Sequence, residues 1–247
     1  MELSENERID DLQLNNLKII QNKDWFCFGI DSVLLSGFAS EIHKNSKILD
    51  LGTGTGILAL LLSAKIKNSK ITGIEVQEDV AEMARRSVIL NNLENRIEIL
   101  NKNVKEINGE VLFDAVITNP PYKENGTGLT NENNVKLISR HEIEGNLEDF
   151  IQAASKALKD KGSMYMVNRP ERLADIFEYC RKYKLEPKEL QIVYSKVNSK
   201  PSLVLVKATK NANKYLKVRE PLYIYKEDGE YTEEVLRIYG KLEKGEL

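Results

Sequence analysis

The sequence predicts an α/β fold: a doubly wound, mostly parallel seven-stranded sheet with a small N-terminal cap. Three observations carry that expectation. Short β-rich apolar runs alternate with segments of helical period through most of the 247 residues, the pattern of βαβ units whose sheet is covered on both faces. A glycine-rich turn, Asp50-Leu-Gly-Thr-Gly-Thr-Gly56, joins the first of these strands to the first of these helices. With 41% hydrophobic and 30% charged residues, the chain can bury a sizeable core and is too apolar for general disorder.

Each element follows from its own residues. Asp24 to Gly29 is strand-like and Asp31 to Ala39 is helical in pattern, and they fall in a cap over residues 1–45. Lys47 to Leu51 is a strand, Ile57 to Ala64 a buried helix, Lys70 to Glu75 a strand, and Asp79 to Asn91 an amphipathic helix. Arg96 to Leu100 and Val111 to Thr118 are strands, Leu147 to Leu158 a helix, and Gly162 to Val167 a strand. Arg172 to Tyr183 is helical, and Gln191 to Tyr194 and Leu203 to Ala208 close the sheet. Right-handed crossovers between parallel strands make this a doubly wound core over residues 46–210, with an extension at 211–247. One stretch breaks the alternation. Lys123 to Asn146 holds Gly126, Gly128, Gly145 and five asparagines, the composition of a long loop, and loops of that length in compact domains are usually functional.

Composition excludes several function classes. The longest aliphatic run, Ile57 to Leu62, is far short of the roughly 20 apolar residues of a spanning helix, so no membrane span is expected. The acidic start, Met1-Glu-Leu-Ser-Glu-Asn-Glu7, is unlike a basic-then-apolar signal peptide, and a cytoplasmic protein is expected. Cys27, Cys180, His43 and His141 form no metal-binding spacing, so no metal is expected. The net charge of −2 is misleading, because Lys156 to Arg219 carries 16 basic and 6 acidic side chains. That asymmetry points to a polyanionic partner, with a solvated lysine-rich surface as the alternative.

The glycine turn has chemistry of its own. Its glycines let the backbone turn sharply and approach a ligand without Cβ clashes. A dinucleotide fingerprint would need glycine at Ile57, and no G-K-[ST] follows, so neither a pyrophosphate site nor a P-loop is present. The D-x-G-x-G-x-G spacing instead resembles that of Rossmann-like class I S-adenosylmethionine-dependent methyltransferases, with Asp50, Gly52, Gly54 and Gly56 as the cofactor loop; a tight structural turn is the alternative. Glu75 ends the second core strand beside that loop, where a carboxylate can accept from both hydroxyls of a ribose. The resemblance also places Asn103 beside the adenine. Taken singly, Glu75 reads equally as a solvated strand end and Asn103 as a turn former.

The strand Val111 to Thr118 runs into Asn119-Pro120-Pro121-Tyr122. Two prolines fix φ and remove backbone donors, leaving a stiff extended turn at the strand's carboxyl end. The Asn119 side-chain oxygen and the Pro120 carbonyl are two acceptors that could hold both N–H groups of a planar amine, and Tyr122 offers a ring face for a base. The nitrogen of such an amine is a poor nucleophile because its lone pair is delocalised. Hydrogen bonds to both protons favour the pyramidal, cationic nitrogen of the transition state. A rigid turn with no catalytic role is the alternative.

Asp50 to Gly56, Glu75 and Asn119 to Tyr122 together resemble amino-methyltransferases acting on adenine N6 or glutamine N5. Phe26-Cys-Phe-Gly-Ile-Asp31-Ser-Val-Leu-Leu35 and Ser139-Arg-His-Glu142 narrow the resemblance to the bacterial tRNA (adenine-N6)-methyltransferase family that modifies adenine-37 of a valine tRNA. The similarity covers most of residues 20–210. It implies S-adenosyl-L-methionine as cofactor, tRNA as substrate and a monomeric enzyme. It also places Phe28 and Asp31 near the methionine end of the cofactor, although Asp31 reads equally as a helix cap. Arg140 and His141 would contact RNA or order the preceding loop. Lys196, Lys200, Lys207, Lys210, Lys214 and Lys217 would be phosphate contacts. The alternatives are glutamine methylation of a release factor, base methylation of ribosomal RNA or DNA, and an inactive RNA-binding scaffold.

Overall fold

The computed structural model describes residues 3–24, 29–110, 112–122 and 145–242. A central sheet is built from β3 (Lys47–Leu51), β4 (Lys70–Glu75), β5 (Ile97–Asn101), β6 (Phe113–Thr118), β7 (Leu158–Asn168), β8 (Leu185–Tyr194) and β9 (Pro201–Lys210). Two-residue strands β10 (Lys217–Val218) and β11 (Leu222–Tyr223) add to the outer side of β8, giving nine strands in the order β5-β4-β3-β6-β7-β9-β8-β10, with β11 also on β8. The seven expected strands are all present and the extension supplies two more. Pairing is parallel from β5 through β7. β9 alone runs against its two neighbours, β7 and β8.

Alternate residues of each strand feed different helix layers, as the period of two requires. Ile48, Ala115, Ile117, Tyr165, Val167, Leu203 and Leu205 face one buried cluster, with α1 (Ile30–Phe38), α2 (Ile57–Lys65) and α3 (Glu78–Leu90). Leu49, Leu51, Val116, Met164, Met166, Val204 and Val206 face the other, with α4 (Leu147–Ala157) and α5 (Leu173–Lys182). Helices on both faces are what doubly wound means. No helix among the described residues is long and apolar enough to cross a membrane.

The segments flanking the sheet join the same core. An antiparallel hairpin, β1 (Glu7–Asp11) and β2 (Lys18–Asn22), lies against α3. Arg86 clamps Glu7 at 2.5 Å, and the Ser87 hydroxyl accepts the Ile20 N–H at 3.0 Å. The guanidinium holds the Glu7 carboxyl below its ordinary range. At the other end, α6 (Glu233–Ile238) packs on α1, and Lys65 of α2 donates to the Ile238 carbonyl. Leu222, Ile224 and Val235 of the extension are buried beside Val33 and Leu34.

Some expectations shift in detail. The strand expected at Asp24 to Gly29 lies mostly outside the described residues, as do residues 123–144 of the expected loop. The end of that loop is ordered by local chemistry: Asn146 caps α4, its side chain accepting the Asp149 N–H while Asp149 accepts the Asn146 N–H. β8 begins six residues before the expected Gln191, at Leu185. Pairing with β9 carries it through Pro187, Lys188 and Glu189, which interrupt its apolar pattern.

Candidate active site

The chain winds from β3 out to β5 and then crosses to β6, so the strand order reverses between β3 and β6. A crevice outside the carboxyl ends of the strands at such a reversal is the usual ligand position in open α/β sheets. Both predicted motifs are brought there, the glycine loop from β3 and Asn119–Tyr122 from β6. The Thr118 hydroxyl ties the two strand ends together by donating to the Leu51 carbonyl at 2.9 Å.

The glycine loop is fixed from beneath. Thr53 donates its N–H to the Ile74 carbonyl at 2.9 Å and its hydroxyl to Asp50 Oδ2 at 2.6 Å. Asp50 is fully buried, and its Oδ1 has no hydrogen-bond partner among the described residues. Burial pushes its carboxyl up to about 7; the Thr53 hydroxyl opposes that shift, and the charge of Glu75 adds to it. The contact the structure gives Asp50 is therefore with the loop, which it shapes from the core side. Gly52, Gly54 and Gly56 all have positive φ, at 69°, 56° and 89°. At Gly54 a Cβ would meet nothing within 4 Å, so the lip of the loop opens onto free space.

Glu75 is 7% exposed and stands at that lip. Its Oε2 accepts the Gly54 N–H at 3.1 Å and its Oε1 the Gln77 N–H at 3.0 Å, which fixes the carboxylate's orientation. Asn101, a residue the sequence reading passed over, holds the strand end by donating to the carbonyls of Glu75 at 3.0 Å and Val76 at 2.9 Å. Asn103 caps a single 3₁₀ turn, Val104–Glu106, through the Lys105 N–H at 2.9 Å. An open loop with left-handed glycines beside an oriented carboxylate is a donor and acceptor set that fits a small hydroxyl-bearing, cationic molecule.

At the reacting end, Asn119 is half-buried, with its Nδ2 3.5 Å from the hydroxyl of Ser32. The Asn119 side chain also opposes the rise of the Tyr122 phenol's pKa. With the amide nitrogen turned toward Ser32, Oδ1 is the acceptor that remains. The Tyr122 hydroxyl donates to Asp31 Oδ2 at 2.7 Å, and burial together with the Asp31 charge pushes the phenol well above its ordinary range. Asp31 is not the cap of α1. That position is Gly29, which makes no side-chain cap bond, and Asp31 sits in the first turn holding Tyr122.

The sequence reading also passed over Arg169, which directly follows β7. Its guanidinium carbon lies 4.9 Å from the centre of the Tyr122 ring, so the ring offered for base stacking already has a cation on one face. An arginine just past the strand next to β6 was the available signal. Lys196 and Lys200 are exposed on the β8–β9 turn, at the same sheet edge as Arg169. The other candidate phosphate contacts diverge. Lys207 is paired with Glu41 at 2.5 Å and Glu189 at 3.2 Å, and Lys210 donates to the Ser155 and Leu158 carbonyls toward the opposite edge. Lys217 pairs in register with Glu189, away from the site, and Lys214 lies between Lys210 and Lys217. The basic stretch is thus split by the antiparallel course of β9. Phe28, Arg140 and His141 lie outside the described residues.

Comparison with known proteins adds to this geometry. The family model for the methyltransferase small domain matches residues 28–188. The tRNA1(Val) (adenine(37)-N6)-methyltransferase of Porphyromonas gingivalis is 30% identical over 185 residues, covering 72% of each chain. The enzyme of the same name from a Flavobacteriaceae bacterium is 28% identical over 90% of this chain and 89% of its own. Among solved structures, a predicted O-methyltransferase from Agrobacterium tumefaciens superposes with a TM-score of 0.70 at 24% identity, covering 85% of this chain and 96% of that one. The T. thermophilus 16S rRNA N2 G1207 methyltransferase, solved with AdoMet and guanosine, gives 0.59 at 17% identity, over 85% of this chain and 52% of that one.

Proposed function

The chain belongs to the methyltransferase small domain family, and we propose that it transfers a methyl group from S-adenosylmethionine to N6 of an adenine in tRNA, at adenine-37 of a valine tRNA. The observation that carries this reading is the position of Asn119-Pro-Pro-Tyr122 across the sheet's reversal point from the glycine loop and Glu75. The names of the relatives support the choice of tRNA and of position 37.

In this reading the cofactor would be held by Gly52, Gly54 and Gly56, by Glu75 at its ribose and by Asn103 at its adenine, with Asp50 shaping the loop. Asp31, with Phe28, would border the methionine end. When bound, S-adenosylmethionine supplies an electrophilic methyl group carried on a sulfonium. Asn119 Oδ1 and the Pro120 carbonyl accept the two hydrogens of the adenine amine and so favour its pyramidal, cationic form. Ser32 keeps the Asn119 amide turned for that role. Because the protonated product nitrogen is acidic, these acceptors need only guide its proton outward. A splayed anticodon-loop base can enter such a site at lower cost than a paired one. Residues 46–210 carry the chemistry, braced by the cap and the extension. In this reading the enzyme acts as a cytoplasmic monomer.

Incubation of the purified protein with methyl-labelled cofactor, bulk unmodified tRNA and a release factor tests the reading. Label is expected in the RNA alone; label in the release factor would transfer the same motif to glutamine.

A further inference from the structure

The cation on Tyr122 has the properties of a substrate contact. Arg169 is an exposed residue whose position is nonetheless fixed at three points. Its main-chain N–H donates to Asn168 Oδ1 at 2.8 Å, its Nη1 donates to the Ser202 carbonyl at 3.1 Å, and its guanidinium lies over the Tyr122 ring. A cation held over an aromatic face is attracted by it even at exposed sites, which biases its position. What it lacks is an acid. Among the described residues Arg169 forms no ion pair, whereas Arg172 is paired with Asp175, Arg181 with Glu186 and Arg219 with Glu189 and Glu41.

An arginine preorganised beside a reacting motif, with most of its five N–H donors uncommitted among the described residues, suits an oxyanion better than a point charge does. The same short segment that supplies its carbonyl anchor, Lys200-Pro201-Ser202, begins at the exposed Lys200 of the β8–β9 turn, and Lys196 lies on that turn too. Three cations are thereby spread along one sheet edge from the reacting motif outward.

We infer that Arg169 binds a backbone phosphate next to the target nucleotide, with Tyr122 holding the guanidinium in place and Lys200 and Lys196 continuing the phosphate track. This rests on the tRNA reading above and names the group that anchors the RNA at the site. Anchoring of that kind strengthens ground state and transition state alike, so its loss raises KM and leaves kcat nearly unchanged.

Filter binding of bulk unmodified tRNA between 50 and 200 mM salt, on the order of the range where phosphate contacts dominate, tests it with Arg169→Ala, Arg169→Lys and Arg181→Ala. Arg169→Ala is expected to lower the slope of log K against log salt by about one, and to weaken binding by about tenfold. Arg169→Lys should keep the slope and bind only a few-fold more weakly, and Arg181→Ala, at a paired arginine away from this edge, should match wild type. Arg169→Gln, planar and uncharged, serves in place of the alanine variant if that one is unstable. In steady state Arg169→Ala should raise KM for tRNA with kcat within about twofold and cofactor affinity unchanged. A wild-type slope, or a loss confined to kcat, would overturn the inference. Wild-type protein that binds tRNA without labelling it would remove the proposed activity, and the slopes would still judge Arg169.

Discussion

The Tyr122 hydroxyl donates a 2.7 Å hydrogen bond to Asp31 Oδ2, fastening the last residue of the reacting motif to the first turn of α1, 91 positions earlier in the chain. The bond joins the cap to the strand end that carries Asn119. Because burial and the Asp31 charge raise the phenol's pKa, Tyr122 stays protonated and the bond persists throughout the physiological range.

Tyr122→Phe should destabilise the fold by about 1.5–3 kcal/mol, the usual contribution of a hydrogen bond to a charged group. In a cycle with Asp31→Ala, denaturant titrations should give a coupling of at least about 1 kcal/mol. Additive losses would mean that the two side chains act independently.

Asn119→Ala removes the acceptor that Ser32 orients. Turnover should fall by about 10²–10³, as for loss of one preorganised transition-state hydrogen bond. Calorimetric titration with the cofactor should give wild-type affinity. Near-normal turnover would take Asn119 out of the mechanism.

Two glycines of one loop should respond differently. A Cβ at Gly54 meets open space, so Gly54→Ala costs mainly the positive φ, about 1–2 kcal/mol, while cofactor binding should drop sharply. A Cβ at Gly52 would lie 3.0 Å from Phe150 Cε1, so Gly52→Ala carries a packing cost as well. Melting curves with and without cofactor separate the two, and equal apo stabilities would contradict the packing argument.

Asp50 makes stability depend on pH. Its carboxyl goes from an ordinary value of 3.8 to about 7 on folding, mainly through burial, so the folded state binds the proton more tightly. Protonation of Asp50 therefore supports the fold fully below about pH 4, and that support is lost as pH rises toward 7. Asp50→Asn keeps an acceptor for Thr53 and does not titrate. Its stability relative to wild type should rise between pH 4 and 7, by at most about 4 kcal/mol. A constant difference across that window would show Asp50 to be charged in the fold throughout.

The core of the fold was legible because each of its strands is a short apolar run bounded by turn residues, and because the two candidate motifs sit at strand ends. The β1–β2 hairpin was not. Glu7-Arg-Ile-Asp-Asp11 is too polar to read as a strand, and it is held by Arg86 and Ser87, long-range partners with no local signal. The glycine loop, Glu75 and Asn119 were legible as candidates, but the groups that hold them were not. Ser32 looks like any helix residue until α1 places it against Asn119. Arg169 matters only because β9 returns antiparallel and sets Ser202 beside it. The lysines show the same effect, since sequence proximity in Lys196 to Lys217 hides the strand β9, which separates Lys196 and Lys200 from the other four.

Mass spectrometry of tRNA nucleosides from a strain lacking this chain tests the central claim most directly. Loss of N6-methyladenosine from the valine tRNA, restored by the wild-type chain and not by Asn119→Ala, is the predicted result. An unchanged N6-methyladenosine content in that tRNA would contradict the assignment.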